Sequence, residues 1–220
     1  MHFAPPVLKT INKEENNVDF FEGQDATGKD TQAALLEEYF RSKGKEVVHY
    51  SESGTESTDP FVSGIANLNY KNDFGIDKKT RVLLFLVNRY EQFKRFAEPA
   101  LRKGKIVIIT RSWFSTLIYE GYGTGVSKSF IARIHKELMP KEYFSPDKYV
   151  IFTLSDEDRK TRLISQGKRS AEFFKSKDAE FQARLNRAYL EVAEKYHVPT
   201  LDASGTPEEV FEKLKKLFQI

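Results

Sequence analysis

The chain has 220 residues, with 35 lysines and arginines against 32 aspartates and glutamates, so its formal net charge is only +3. This balance argues against a nucleic-acid-binding module, and the absence of cysteine excludes disulfides and thiol catalysis. The length predicts one domain with a sizeable core. Because cysteine, a signal-peptide pattern and a membrane-length apolar run are all absent, we expect a cytoplasmic protein with no membrane partner.

The beginning of the predicted domain is a strand, a glycine-containing loop and a helix. Residues 1–17 are predicted to be an N-terminal extension, and residues 18–220 a single domain. Residues 18–21 predict a short apolar strand. After the loop, apolar residues recur with the spacing of one helix face, at Leu35, Leu36, Tyr39 and Phe40.

The loop between this strand and helix matches a phosphate-binding pattern with one departure. The pattern requires Gly, four residues, Gly, Lys, then Ser or Thr. Gly23, Gly28 and Lys29 fit, but Asp30 stands where the hydroxyl belongs. Glycines let backbone N–H groups surround an anion, and the start of the following helix favours negative charge. A simple glycine turn is the alternative, but the order strand, loop, helix favours a phosphate site.

The rest of the chain alternates strands with helices. Further strands are predicted over residues 46–50, 106–109, 149–154 and 199–201. Further helices are predicted over residues 77–103, 127–139 and 178–196, from about residue 155, and after Thr206, which begins a capping box with Glu209. Continuous apolar strands between helices predict an α/β fold with a parallel sheet covered on both faces. Ligands bind at the carboxyl ends of such strands, which is where Arg111 lies.

Four sequence blocks follow one another along the chain. They are residues 20–32, residues 83–92, residues 98–104 and residues 111–121. In order and spacing they resemble the thymidylate kinases, a family of P-loop nucleoside monophosphate kinases, over about residues 18 to 220. Shorter matches lie at Pro146-Asp147, at Phe181 with Arg184 and Tyr189, and at Asp202-Ala203-Ser204. The resemblance implies a three-layer P-loop NTPase fold with a parallel sheet of about five strands, a homodimer, and transfer of phosphate from ATP to dTMP with Mg²⁺.

The resemblance also implies how the donor nucleotide is held. The residues implied to bind ATP are Gly23, Ala26, Thr27, Gly28, Lys29, Asp30 and Thr31. Catalytic roles are implied for Lys29, Arg111 and an arginine that the family carries either in the loop or on a lid. Ala26 occupies the loop position, so we expect a lid at about residues 166–177 with Arg169 as the candidate. A solvated basic loop is the alternative for that segment.

Acceptor roles follow from the same resemblance. Phe85 would stack on thymine, or else be a core aromatic; Arg89 would reach the base carbonyl. Arg111 would grip the acceptor phosphate with a planar fork that matches an oxyanion. The other residues implied to bind the acceptor are Asp25 at the sugar 3′-hydroxyl or the metal, Tyr119 beside the 2′ position, and Ser115 and Thr116 at the base edge, where solvated hydroxyls are the alternative.

Three departures from the family pattern leave alternatives open. The exit of the second strand, residues 51–55, lacks the usual arginine. Asp30 replaces a hydroxyl, and Thr110 replaces the aspartate that precedes the arginine in the family. These last two changes amount to an exchange, so we expect Asp30 and Thr110 to hold the metal together. The alternatives are a kinase for another deoxynucleoside monophosphate and a nucleotide-binding homologue with reduced or lost catalysis.

Overall fold

The structure is a computed structural model that describes residues 17–70, 75–165 and 179–220. Most of the predicted N-terminal extension, and the predicted lid with Arg169, lie outside the described residues.

The centre of the fold is a five-stranded sheet in which every neighbouring pair is parallel. The strands are β1 (Val18–Gly23), β2 (Val47–Ser51), β3 (Ile106–Thr110), β4 (Lys148–Thr153) and β5 (Thr200–Asp202). They lie in the order β2-β3-β1-β4-β5. The predicted α/β fold with about five parallel strands is confirmed. Because β1 lies at the centre, the glycine loop that follows it has strand ends on both sides.

Helices cover both faces of the sheet. They are α1 (Lys29–Ser42), α2 (Pro60–Tyr70), α3 (Lys78–Gln92), α4 (Glu98–Leu101), α5 (Trp113–Thr116), α6 (Lys128–Leu138), α7 (Asp156–Ser165), α8 (Ala179–Tyr196) and α9 (Pro207–Phe218). A π-helical turn, Phe93–Ala97, joins α3 to α4, and another, Leu117–Gly123, extends α5. Across the described ranges, no helix is both long enough and apolar enough to span a membrane.

The strands are apolar throughout because the sheet has a core on each side. Phe20 packs with Val107 and Ile109 in one buried cluster, whereas Phe21 packs with Ile108 in the other. This alternation follows from the strand geometry, which points successive side chains to opposite faces. The final helix begins at Thr206 with the predicted capping box.

Two helical segments are absent from the sequence-based prediction. In α2, the buried face consists of Val62, Ala66 and Asn69, which is too weakly apolar to produce a clear helical period. The segment from α5 through its π turn is buried on almost every side, so apolar residues do not alternate with polar ones there. The spacing of apolar residues predicts helices that have one apolar and one polar face. It does not reveal a helix whose buried face is weakly apolar or a helix that is buried on almost every side.

Candidate active site

The loop after β1 has the backbone that its glycines predict. Gly23 has φ +150°, and a Cβ there would lie 2.8 Å from the carbonyl oxygen of Phe152. Gly28 has φ +88° immediately before α1 begins at Lys29. Thr27 closes the turn, since its backbone N–H and its hydroxyl both donate to the carbonyl oxygen of Gln24, at 3.3 and 2.9 Å. The loop therefore opens onto the N-terminus of a 14-residue helix, which is the setting for binding phosphate.

Lys29 and the anomalous Asp30 are neighbours in space as well as in sequence. The Lys29 side chain is buried, and its Nζ lies 3.0 Å from Oδ2 of the largely exposed Asp30. Burial raises the pKa of Asp30, but the adjacent Lys29 charge and hydrogen bond outweigh this effect, so the net shift is downward. Asp30 is therefore ionised and available as an oxygen ligand.

Thr110 lies at the carboxyl end of β3 and close to Asp30. Its hydroxyl contributes to lowering the pKa of Asp30, although no hydrogen bond of ordinary geometry joins the two side chains. The Thr110 Oγ1 is buried without a hydrogen-bond partner among the described residues. An orphaned hydroxyl beside a carboxylate fits Mg²⁺, which takes one or two protein oxygens together with phosphates and water. A larger cluster of histidine, aspartate or glutamate ligands is absent from the ranges that the structure describes.

Asp25 and Arg111 form a short ion pair at the junction of the loop and β3. Arg111 adopts φ +69°, which is unusual for a residue with a side chain. Its guanidinium lies 6.0 Å from the centre of the Tyr119 ring, and the Tyr119 hydroxyl lies 3.5 Å from Asp25. Burial raises the pKa of Asp25, but the charges of Arg111 and Lys29 prevail and lower it to about 2.

The fully buried carboxylate of Glu22 stabilises the segment that follows Arg111. It accepts hydrogen bonds from the backbone N–H groups of Ser112 and Ser115, at 2.6 and 3.0 Å, and from both hydroxyls, at 2.8 and 2.9 Å. The four bonds fix the start of α5 against the end of β1. Ser115 thus has a structural contact in addition to its place beside Arg111, whose Nη1 is 3.5 Å from its Oγ.

A cleft of about 1030 Å³ opens at this edge of the sheet. It brings together all of the predicted acceptor and metal residues: Asp25, Asp30, Phe85, Arg89, Thr110, Arg111, Ser115, Thr116 and Tyr119. Phe85 faces the cleft and meets Tyr70 edge to face, with ring centres 5.5 Å apart. It lies outside both buried core clusters.

The Arg89 side chain, which is predicted to reach the base carbonyl, is held by several hydrogen bonds within the protein. Its Nε donates to Glu52, its Nη1 is 2.7 Å from Nε2 of His135, and its Nη2 donates to Ser112 O and Thr116 Oγ1, at 2.9 and 3.2 Å. Four of its five N–H groups therefore have partners within the protein. Burial lowers the pKa of His135 to about 3, so the ring is neutral and accepts this bond.

The segment after β2 presents hydroxyls where the family carries arginine. Ser51 and Ser53 lie 3.0 Å apart between Oγ atoms, and Ser53 lies 3.3 Å from Thr55. These three residues line the same cleft. Gly54 has φ +69°, and a Cβ there would lie 2.6 Å from Nδ2 of Asn88, so the segment needs glycine at this position.

The sequence did not identify two residues that lie beside the candidate site, Glu22 and Arg159. Glu22 looks like part of an apolar strand, and Arg159 lies within the charged run of α7, which is typical of a solvated helix. Both side chains are buried, and both bind the ends of the phosphate loop or the segments beside it. Only their burial reveals them, because neither follows a recognisable spacing.

A central parallel sheet, a glycine loop at the start of a helix and a buried lysine define a phosphate-loop nucleotide-binding protein. Comparison with known proteins narrows the class: the family model for thymidylate kinase matches residues 21–214. The chain belongs to the thymidylate kinase family. It is 32% identical over 199 residues to a thymidylate kinase of Caldicellulosiruptor saccharolyticus, covering 90% of this chain and 93% of the relative.

A second relative and a solved structure indicate the same family. A thymidylate kinase of Mesoplasma florum is 32% identical over 199 residues, covering 89% of this chain and 92% of that protein. The crystal structure of thymidylate kinase from Ehrlichia chaffeensis superposes with a TM-score of 0.72 at 26% identity, covering 92% of this chain and 98% of that chain. The similarity therefore spans the whole described fold rather than the loop alone.

Proposed function

We propose that this protein transfers the γ-phosphoryl group of ATP to dTMP, giving ADP and dTDP. One observation carries the proposal beyond family membership. The Asp25–Arg111 pair and Asp30, which is bonded to the loop lysine, line a single cleft whose wall also includes Phe85 and Tyr119. A donor on the loop and a nucleotide acceptor in the cleft would thus face each other.

The chemistry requires positioning and charge neutralisation rather than a covalent intermediate. An oxygen of the acceptor phosphate attacks the γ-phosphorus, and the bond from that phosphorus to the β–γ bridging oxygen breaks. Lys29 and the loop N–H groups bind the donor phosphates. Arg111 binds the acceptor phosphate, and Asp25 orients the sugar hydroxyl. Asp30 and Thr110 would hold Mg²⁺, which would supply positive charge to neutralise the donor phosphates.

The acceptor assignment rests on the aromatic wall of the cleft. Phe85 and Tyr119 both line the cleft, and Tyr119 lies next to Asp25. In the proposal Phe85 stacks on the base and Tyr119 crowds a 2′-hydroxyl. A panel of nucleoside monophosphates assayed with ATP and magnesium tests this assignment. We expect dTMP to have the highest kcat/KM and UMP to be poor. Phosphorylation of CMP or AMP without that of dTMP would refute it and favour a different acceptor.

The second candidate, a homologue without turnover, is less well supported. Asp30, Thr110 and Ser53 are the departures that suggest it, yet Asp30 and Thr110 both line the cleft and supply one carboxylate and one orphaned hydroxyl. Lys29, Arg89 and Arg111 are all retained, and Arg111 is paired at the site. These observations favour an active enzyme with a rearranged metal site.

A homodimer is part of the proposal. Leu83, Val87 and Tyr90 form an exposed apolar stripe along α3, and Phe61 and Leu68 are exposed on α2, which packs against it. A second copy would cover such a face. We also propose a cytoplasmic location, because a cysteine-free chain fits a reducing compartment.

Light scattering tests the dimer. A variant with Leu83→Lys and Val87→Lys should be monomeric, because two charges would be buried in the interface. The same change at Ile164, an exposed apolar residue of α7, should leave the mass unchanged. A monomeric wild-type protein would contradict the proposal.

A further inference from the structure

Arg159 of α7 is a buried arginine that no sequence motif singles out. It is 1% exposed, and its guanidinium donates to four side-chain or backbone oxygens. They are the Asp25 carbonyl at 3.1 Å, Gln24 Oε1 at 2.7 Å, Asp156 Oδ1 at 2.9 Å and Gln182 Oε1 at 3.2 Å. A buried charge is retained only where such bonds compensate its desolvation. These partners come from the phosphate loop, from α7 and from α8.

Asp25 is consequently held from two directions. Its carboxylate pairs with Arg111 at the cleft, while its backbone carbonyl accepts the bond from Arg159. The charge of Arg159 also favours the ionised form of Asp25, after the larger effects of Arg111 and Lys29. Asp25, which is proposed to orient the acceptor, is therefore also bonded to an arginine that is not among the residues lining the cleft.

Gln24 and Gln182 close a network around Arg159. Nε2 of Gln24 donates to Oε1 of Gln182 at 2.8 Å and to its carbonyl oxygen at 3.3 Å. Both glutamines are buried. Ala26, two residues further along the loop, adopts φ +66°, a conformation that costs free energy for a residue with a side chain. Such a conformation persists where surrounding contacts hold the chain on both sides.

We propose that Arg159 is a positioning residue for phosphoryl transfer, because it ties the phosphate loop at Gln24 and Asp25 to α7 and α8. The inference rests on the proposed function. The buried Arg159 side chain is not among the residues that line the cleft, so it would act through Asp25 and the loop peptides that it bonds. Small displacements of such groups cost more in the transition state than in nucleotide binding, and a shift of about 1 Å can lower the rate about 100-fold.

Kinetics of Arg159→Gln test the proposal. This variant removes the positive charge and the planar guanidinium, and it retains one side-chain amide as a hydrogen-bond donor. We expect kcat to fall at least tenfold at temperatures where the variant is folded, with KM for ATP and for dTMP within threefold of wild type. Arg159→Lys keeps the charge but cannot reach the loop, α7 and α8 at once. Its kcat should therefore lie between that of the wild-type protein and that of Arg159→Gln. Lys160→Ala, at the exposed neighbouring position of α7, is the control and should match wild type.

The outcomes separate this inference from the proposed function. A folded Arg159→Gln with kcat within twofold of wild type, or with the whole loss in KM, would overturn the positioning role. If that variant does not fold, Gln182→Ala removes the side-chain hydrogen bonds that Arg159 and Gln24 make to α8 and leaves the bonds of Arg159 to the loop and to Asp156. It should lower kcat at least threefold with unchanged KM; an unchanged kcat would also overturn the role. Failure of the wild-type protein to phosphorylate dTMP would instead refute the proposed function.

Discussion

Asp25 and Arg111, 86 positions apart in the chain, form an ion pair where the phosphate loop meets the carboxyl end of β3. The pair exists because β1 and β3 are neighbours in the sheet, although four α-helices, a π-helical turn and a strand separate them in sequence. It fixes the loop relative to the acceptor cleft before any nucleotide is bound. In the proposed function Arg111 would be preorganised in this way, which would lower the entropic cost of binding an acceptor phosphate.

The Asp25–Arg111 pair makes folding stability depend on acid pH. The pKa of Asp25 is about 2 in the folded protein, against 3.8 as the ordinary value. A lowered folded-state pKa stabilises the protein above the unfolded-state value, and this stabilisation is lost as the pH falls through the interval from about 4 to 2. We therefore expect the difference in unfolding free energy between wild type and Asp25→Asn to shrink between pH 5 and pH 2.5, as measured by urea denaturation. A constant difference over this range would contradict the assigned pKa.

If Asp30 and Thr110 have exchanged the carboxylate and the hydroxyl of one metal site, mutations at the two positions should have coupled effects on activity. Asp30→Thr should impair activity severely, because it removes the carboxylate beside the donor phosphates. Thr110→Asp should also impair activity by placing two carboxylates at one metal. The double variant restores one carboxylate and one hydroxyl, so it should recover much of the activity lost in each single variant.

The measurement is kcat/KM as a function of magnesium concentration for all four proteins. Recovery should be accompanied by a magnesium dependence close to that of the wild-type protein. Strictly additive losses in the double variant would mean that the two residues act independently, and the shared metal site would be excluded.

Arg169 is predicted to stabilise charge on the transferring phosphoryl group. Catalytic arginines of this kind contribute on the order of 10³-fold or more to kcat. Arg169→Ala should therefore lower kcat strongly and leave the affinity for dTMP nearly unchanged, as measured by steady-state kinetics and equilibrium binding. Lys175→Ala, in the same predicted segment, is the matched control. A loss below about threefold for Arg169→Ala would assign this role to another residue.

Asn69 is predicted to lower the stability of the fold. Its amide nitrogen and oxygen are both buried without hydrogen-bond partners among the described residues, and the residue lines the cleft. A buried unsatisfied amide costs roughly 1–3 kcal/mol. Asn69→Leu should therefore raise the thermal midpoint by about 2–4 °C or more. Asn67→Leu, at an exposed position of the same helix, should change it little, and a lower midpoint for Asn69→Leu would show that the amide has a partner.

The sequence by itself determined the local elements. Gly23, Gly28 and Lys29 mark a phosphate loop at the start of a helix, because glycine readily adopts the positive φ angles of +150° and +88° that the two glycine positions have. Runs such as Ile106–Thr110 specify strands buried on both faces, and the capping box at Thr206 specifies the last helix. These features depend on neighbours within a few positions, so their spacing is readable without a structure.

Only the tertiary structure decided how charges are paired across the site. Glu22 bonds to Ser112, 90 positions away, and Arg159 bonds to Gln24, 135 positions away. A buried carboxylate or guanidinium carries no periodic pattern, so in the sequence it looks like any other charged residue. Its partners are selected by which strands lie side by side, and that order follows from packing of the whole sheet rather than from any local preference.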